Sequence, residues 1–176
     1  MTDATGTVPP VDAAQAIDDL YRVHGLGMIR LALMLVGDQT TAEDVVQEAF
    51  LGLYRGWHRV HDPDKALPYL RVSVLNGARA ALRGRRRTRA RLLQSVQHDP
   101  PVWSAEAAAM ERADRRAVLA AVARLPRRQR EVLALRYYMD LSEQEIAQIL
   151  GVARGTVSST TARALAVLAR QFGEDE

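Results

Sequence analysis

Ser142-Glu143-Gln144-Glu145-Ile146-Ala147-Gln148-Ile149-Leu150-Gly151-Val152-Ala153-Arg154-Gly155-Thr156-Val157 is the stretch whose reading decides the fold. Ser142-x-x-Glu145 has the spacing of a capping box, in which each side chain reaches the other residue's backbone N–H and starts a helix. Ile146 and Leu150, four residues apart, face a core, and Ala147 is small where a second helix must come close. Gly151 falls where the chain must turn with positive φ, a conformation glycine adopts without steric cost. Val152 and Val157 then fill the angle between two helices. The pattern is that of a helix-turn-helix whose second helix lies in a DNA major groove, its first residues nearest the base edges. An ordinary helical hairpin would not need all of these positions met at once.

Working outward, the rest of the chain reads as helix. Its 176 residues are 48% hydrophobic but only 5% aromatic, a Leu/Ala/Val composition that favours helices over sheets. Toward the C-terminus, a helix is expected from about 154 to 171. Upstream, Leu125-Pro126 separates a helix over about 105–124 from one over about 127–139. From Leu92 to Trp103 the periodicity fails, and Asp99-Pro100-Pro101 cannot be helical, so this segment reads as a linker.

Before the linker, Ile17, Leu20, Tyr21, His24, Met28, Leu31, Ala32 and Leu35 recur at steps of three and four, predicting a first helix over about 12–35. Gly37-Asp38 ends it. Thr40 or Thr41 is expected to cap a second helix, Thr40-x-x-Glu43 having the spacing of a capping box, with Ala42, Val45, Val46, Ala49, Phe50, Leu53, Tyr54 and Trp57 as its apolar stripe. Asp62-Pro63 breaks the chain, and a third helix starts near Leu67-Pro68 and runs through Leu70, Val74, Leu75, Ala78 and Leu82 into a cluster of arginines. The fold class is therefore all-α, with two small helical domains joined by a flexible linker. One is an N-terminal bundle; the other is a four-helix unit with the helix-turn-helix. The division is a disordered N-terminus over 1–11, a first domain over 12–91, a linker over 92–109, a second domain over 110–171 and a tail over 172–176.

Charge is divided as well. The net formal charge is only +3, yet acids outnumber bases over residues 1–70. Arg79, Arg83, Arg85, Arg86, Arg87, Arg89 and Arg91 then follow without an intervening acid. Arginine forks onto phosphates and base edges better than lysine does, so an acidic half beside an arginine cluster points to separate partners on separate surfaces. Asn76, Arg79, Arg83 and Arg87, at steps of three, four and four, fall on one helical face away from Leu75, Ala78 and Leu82.

Several function classes are excluded or disfavoured. There is no cysteine, which removes disulfides, thiolate zinc sites and thiol catalysis and fits a reducing cytoplasm. No apolar run approaches the ~20 residues of a membrane span. His58-x-x-His61 has no convergent carboxylate or thiol to complete a metal site. Serine-hydrolase, Walker and dinucleotide motifs are missing, and no cofactor is called for. An autonomous operator-binding regulator would not need the acidic second helix and the arginine face together in its N-terminal unit. A pure protein-binding adaptor is weighed because the last helix is poor in basic residues.

The order of elements carries a resemblance. Glu43-Asp44-Val45-Val46-Gln47-Glu48-Ala49-Phe50 precedes an Asn-containing, arginine-ending helix. Leu125-Pro126-x-x-Gln129-Arg130-Glu131-Val132-Leu133 then leads into the helix-turn-helix. Together these closely resemble the extracytoplasmic-function (ECF) subgroup of bacterial sigma factors over about 12–91 (region 2) and 110–170 (region 4). The resemblance implies a protein that is not an enzyme but directs core RNA polymerase to promoters and helps open them. Glu43, Asp44, Gln47 and Glu48 would grip the clamp helices of the polymerase β′ subunit, and region 4 would dock on the β flap. Tyr69, Asn76, Arg79, Arg83, Arg86 and Arg87 would hold and open the minus-ten element, with Tyr69 or Trp57 stacking on a base. Arg154, Thr156, Ser158, Ser159 and Arg163 would read the minus-thirty-five element. An anti-sigma factor is a further partner the resemblance implies. The chain departs from family habit in Ser158-Ser159-Thr160-Thr161, where relatives carry basic residues, and in Ala153 where a Ser-type cap is expected; both imply weak minus-thirty-five affinity.

Overall fold

The computed structural model describes residues 13–60, 62–92 and 109–173. These form seven helices: α1 (Ala13–Val36), α2 (Gln39–Gly56), α3 (Ala66–Leu92), α4 (Ala109–Arg124), α5 (Arg127–Leu133), α6 (Glu143–Leu150) and α7 (Arg154–Gly173). Two single 3-10 turns, Trp57–Arg59 and Pro63–Lys65, link α2 to α3. The predicted disordered N-terminus and most of the predicted linker lie outside the described residues.

In the first unit, α1, α2 and α3 pack around Met28, Leu31, Ala32, Leu35, Val45, Val46, Phe50, Leu70, Val74, Leu75 and Ala78, all buried. These are the residues whose spacing predicted the helices. Gly37 turns the chain after α1 at φ 84°. The cap of α2 is not the predicted Thr40 or Thr41 but Asp38, whose Oδ1 accepts from the Thr41 N–H at 2.9 Å. Asp38 wins because the helix begins earlier, immediately after the glycine turn, and Glu43 pairs instead with Gln39. Arg85, part of the arginine cluster, is also committed locally. It donates to the Val36 carbonyl at 3.0 Å and to Thr41 Oγ1 at 2.6 Å and pairs with Asp38, fastening the α1–α2 corner to α3. Tyr21 and Tyr54, both assigned to core stripes by spacing, are about half exposed, 50% and 49%. Tyr21 lies edge-on against Phe50, ring centroids 5.1 Å apart, at the border of the core.

In the second unit, α5 changes character after about two turns: Ala134–Tyr138 is π-helical, where a continuous α-helix to Met139 was expected. Five successive residues, Glu131 to Leu135, are buried. One α-helical face cannot hide five in a row, so α5 must be covered on more than one side. Leu133 meets Leu125 and Ala164 of α7, while Val132, Ala134 and Leu135 join the core that contains α1 and α3. The wider turn rotates the chain to serve both sides.

The two units are therefore docked: one contiguous apolar cluster runs from Met28 and Leu31 through Leu135, Leu141 and Ile146 to Val157. Polar contacts cross the same junction. Arg130 donates to the Leu35 carbonyl at 2.7 Å, covering the C-terminal end of α1. Glu131, 2% exposed, receives Arg79 of α3 through two hydrogen bonds of 2.8 Å and has Arg127 and Arg128 within 3.5 and 3.4 Å. Burial alone would raise the Glu131 pKa. The hydrogen bonds and charge of Arg79, with Arg127 and Arg128, outweigh it and hold the carboxyl below its ordinary 4.5.

Two outcomes are expected. A Cβ on Gly77 would lie 2.9 Å from a methyl of the stiff, buried Val45, so α2 and α3 touch there through the missing side chain. Gly77→Ala should lose about 1 kcal/mol in urea unfolding, because overpacking outweighs the ~1 kcal/mol helix-propensity gain; in a Val45→Ala background the same change should become stabilising. Glu131, with its folded pKa depressed, contributes stability in full above pH 4.5 that is lost as pH falls through the folded value. The stability gap between the native chain and Glu131→Gln, about 3 kcal/mol at pH 7, should narrow steadily in denaturation curves taken below pH 4.5.

Candidate nucleic-acid and polymerase interface

Three surfaces emerge from this packing. On α2, burial of Ala42, Val45, Val46, Ala49, Phe50 and Leu53 turns Glu43, Asp44, Gln47 and Glu48 outward, all exposed. Beside them an open groove of about 640 Å³ runs between α1 and α2, floored by Ile17, Val46 and Phe50, walled by Tyr21 and Tyr54, and rimmed by Asp18, Glu43 and Gln47. The acids and the groove make one surface: apolar in the middle and negative at the edge.

On α3, Tyr69, Asn76, Arg83 and Arg87 are exposed. Steps of seven, seven and four residues keep them within about 40° of one line along the helix at 100° per residue. Arg79 sits roughly 80° around from Tyr69 by the same count, and there it meets Glu131. Its NH1 also donates to Asn76 Oδ1 at 3.2 Å. In this arrangement Arg79 is 19% exposed and each of its guanidinium nitrogens donates to a protein oxygen, whereas Arg83 and Arg87 are exposed. The Arg86 side chain lies outside the described ones.

At the N-terminal end of the same face, Tyr69, 53% exposed, borders a cleft of about 490 Å³ that the motif reading missed. Arg55 and Arg59 line it opposite Tyr69, with Gly52, Leu53, Gly56 and Val60 completing the wall. An aromatic face and two guanidinium groups around a concavity suit an unstacked base and its phosphate. The signal available in sequence was the four-residue step between Arg55 and Arg59, which places both on one side of the α2 end. Trp57 is half-buried, as a packing residue would be. His58 hydrogen-bonds with Arg59 at 3.2 Å; His61 lies outside the described residues, and among the described residues no cluster of acids and histidines could hold a metal ion.

The third surface is the helix-turn-helix. The Ser142 capping box is complete: Ser142 Oγ accepts from the Glu145 N–H at 3.2 Å, and Glu145 Oε2 accepts from the Ser142 N–H at 2.8 Å. Gly151 closes α6 at φ 64°, ψ 44°, and Val152 N–H returns to the Ala147 carbonyl at 3.0 Å. Val157 is completely buried in the angle between α6 and α7.

On α7, Arg154, Thr156, Ser158 and Arg163 are exposed and Ser159 is half-buried. Several hydroxyl protons here are already committed within the helix. Ser159 donates to the Thr156 carbonyl at 3.2 Å, Thr160 to the same carbonyl at 2.6 Å, and Thr161 to the Val157 carbonyl at 2.9 Å. A hydroxyl so bound can only accept, and phosphate oxygens can only accept too. Thr160 is buried besides. Arg154 pairs with Glu143 at 3.1 Å, and Arg163 donates to Ser159 at 3.3 Å. The geometry thus deepens the shortage of free phosphate donors seen in the sequence.

Among the described residues no helix is long and apolar enough to cross a membrane.

Comparison with known proteins agrees with this geometry. The sigma-70 region 2 family profile matches residues 20–88, and the sigma-70 region 4 profile matches residues 115–168. The RNA polymerase sigma-E factor of Streptomyces coelicolor is 32% identical over 159 residues, covering 88% of this chain and 85% of that protein. The ECF RNA polymerase sigma factor SigL of Mycobacterium tuberculosis is 35% identical over 162 residues, covering 88% and 89%. Among solved structures, the sigma factor RpoE of Bartonella quintana, in complex with the anti-sigma factor NepR, superposes with a TM-score of 0.73 at 21% identity, over 90% of this chain and 99% of that one. With both conserved regions matched in order and full-length relatives above 30% identity, the chain belongs to the sigma-70 family of RNA polymerase sigma factors, in its extracytoplasmic-function group.

Proposed function

We propose that three surfaces divide the work of this promoter-directing sigma factor. Glu43, Asp44, Gln47 and Glu48 on α2, with the groove beside them, take the clamp helices of the polymerase β′ subunit, whose basic side chains would pair with the acids. Tyr69, Asn76, Arg83, Arg86 and Arg87 on α3, joined by Arg79 when it is released, take the minus-ten strand. Arg154, Thr156, Ser158, Ser159 and Arg163 of α7 take the minus-thirty-five element, while the second unit also contacts the β flap.

The observation that carries this reading is the separation of charge within the first unit. Exposed acids occupy α2, and an exposed aromatic, an asparagine and arginines occupy one line of α3. Opening then needs no chemistry. Bases leaving the stack are captured on Tyr69 and in the cleft bordered by Arg55 and Arg59, and that capture offsets the cost of unpairing. The protein acts on this reading as a non-catalytic initiation factor in the compartment that holds RNA polymerase. Partners of the anti-sigma kind, one of which is seen with the Bartonella relative, belong to the same proposal.

The weak phosphate-donor content of α7 gives the minus-ten contacts and the polymerase a larger share of promoter affinity. Added to core polymerase, the chain should produce defined run-off transcripts, yet protect promoter duplex poorly by itself. Arg83→Ala combined with Arg87→Ala should lower open-complex formation on the order of tenfold while leaving core binding intact. Core-independent footprints on an inverted repeat, or loss of core binding in that double variant, would contradict the assignment.

A further inference from the structure

Arg79 lies on α3 among residues proposed for promoter contact, yet its guanidinium is turned away from them. Its Nε and one NH2 donate to the two oxygens of Glu131 at 2.8 Å each, a fork-to-fork pairing across the junction between the two helical units. Its remaining Nη1 donates to Asn76 Oδ1, so two of the residues proposed for the promoter strand are tied by one contact. The charges of Arg71 on α3 and Glu145 on α6 attract each other across the same junction.

We propose that the Arg79–Glu131 pair is a releasable latch: it holds the two units closed in the free chain and keeps Arg79 from nucleic-acid phosphate. This rests on the proposed function only in assigning Arg79 to the promoter strand. Glu131 holds the Nε–Nη2 edge of the guanidinium, and a phosphodiester offers that edge the same pair of acceptor oxygens as a carboxylate, so the two ligands compete for it. Release does not strand a bare carboxylate. Glu131 keeps Arg127 and Arg128, four and three residues before it on its own helix, when Arg79 leaves. A buried pair with a single partner on each side would be far harder to part. Arg83 and Arg87 stay exposed in the closed arrangement, where they can bring a phosphate backbone to within reach of the latched arginine. The same three-arginine surround makes Glu131 a carboxylate with surplus positive charge about it, which lets a competing anion approach.

The chain has no cysteine, so Val23→Cys on α1 and Leu165→Cys on α7, both at exposed positions, allow a donor–acceptor dye pair to report the separation of the units. The free labelled chain should show high transfer, and Glu131→Gln should lower it while the helical circular dichroism is kept. The same variant should bind a single-stranded minus-ten oligodeoxynucleotide about tenfold more tightly without core polymerase, because apparent affinity scales with the open fraction. Should Glu131→Gln lose helical signal, Arg79→Gln, which cuts the latch from the other unit, is read by transfer alone and must lower it. Low transfer in the unsubstituted chain, or unchanged transfer in both variants, overturns the latch. A fall in transfer without a gain in strand binding upholds the closure and removes Arg79 from the promoter-contacting set.

Discussion

A single buried carboxylate organises the junction on which the arrangement of the molecule depends. Glu131 lies at 2% exposure with Arg79, Arg127 and Arg128 around it, and a charge this deep is tolerated only because it is so fully paired. Its position on α5 forces that helix to be covered from both sides. Val132 and Leu135 enter the core shared with α1 and α3, while Leu133 closes on α7. Arg130, the residue before it, caps α1 from the second unit, so successive residues of α5 speak to both halves of the chain.

The same constraint relates fold to function. The docked arrangement fixes the α3 and α7 surfaces relative to each other. Polar pairing at the junction, beside apolar contacts, gives an interface that neighbouring anions can compete for. An entirely apolar one would offer them nothing. On α7 the opposite restraint operates. Back-bonded hydroxyls and a paired Arg154 leave the recognition helix few free donors.

Much of this was legible in the residues because it is local. The Ser142–Glu145 box, Gly151 in the left-handed region and Val157 in the interhelical angle follow from short-range rules, and the structure realises each of them. The apolar spacing of α1, α2 and α3 identified their core faces, and the outward turn of Glu43, Asp44, Gln47 and Glu48 follows directly from it. The failures have physical reasons. Periodicity assigns a side to a residue but not a depth, so Tyr21 and Tyr54 were counted as core although they wall an open groove. Asp38 took the cap of α2 because the glycine turn brings the helix start forward. The partner of Arg79 lies 52 residues away on another unit, a distance at which no spacing rule operates. The π-helical turn at Ala134–Tyr138 answers to that same docking, and it too was invisible to local pattern.

Small-angle scattering of the free, unsubstituted chain at near-physiological salt tests the docked arrangement most directly. A closed molecule of this length should give a radius of gyration of about 16–18 Å, near the scaling for a single compact body. A value beyond about 22 Å, expected of two separated units on a tether, would contradict the claim that the Glu131 junction holds them together.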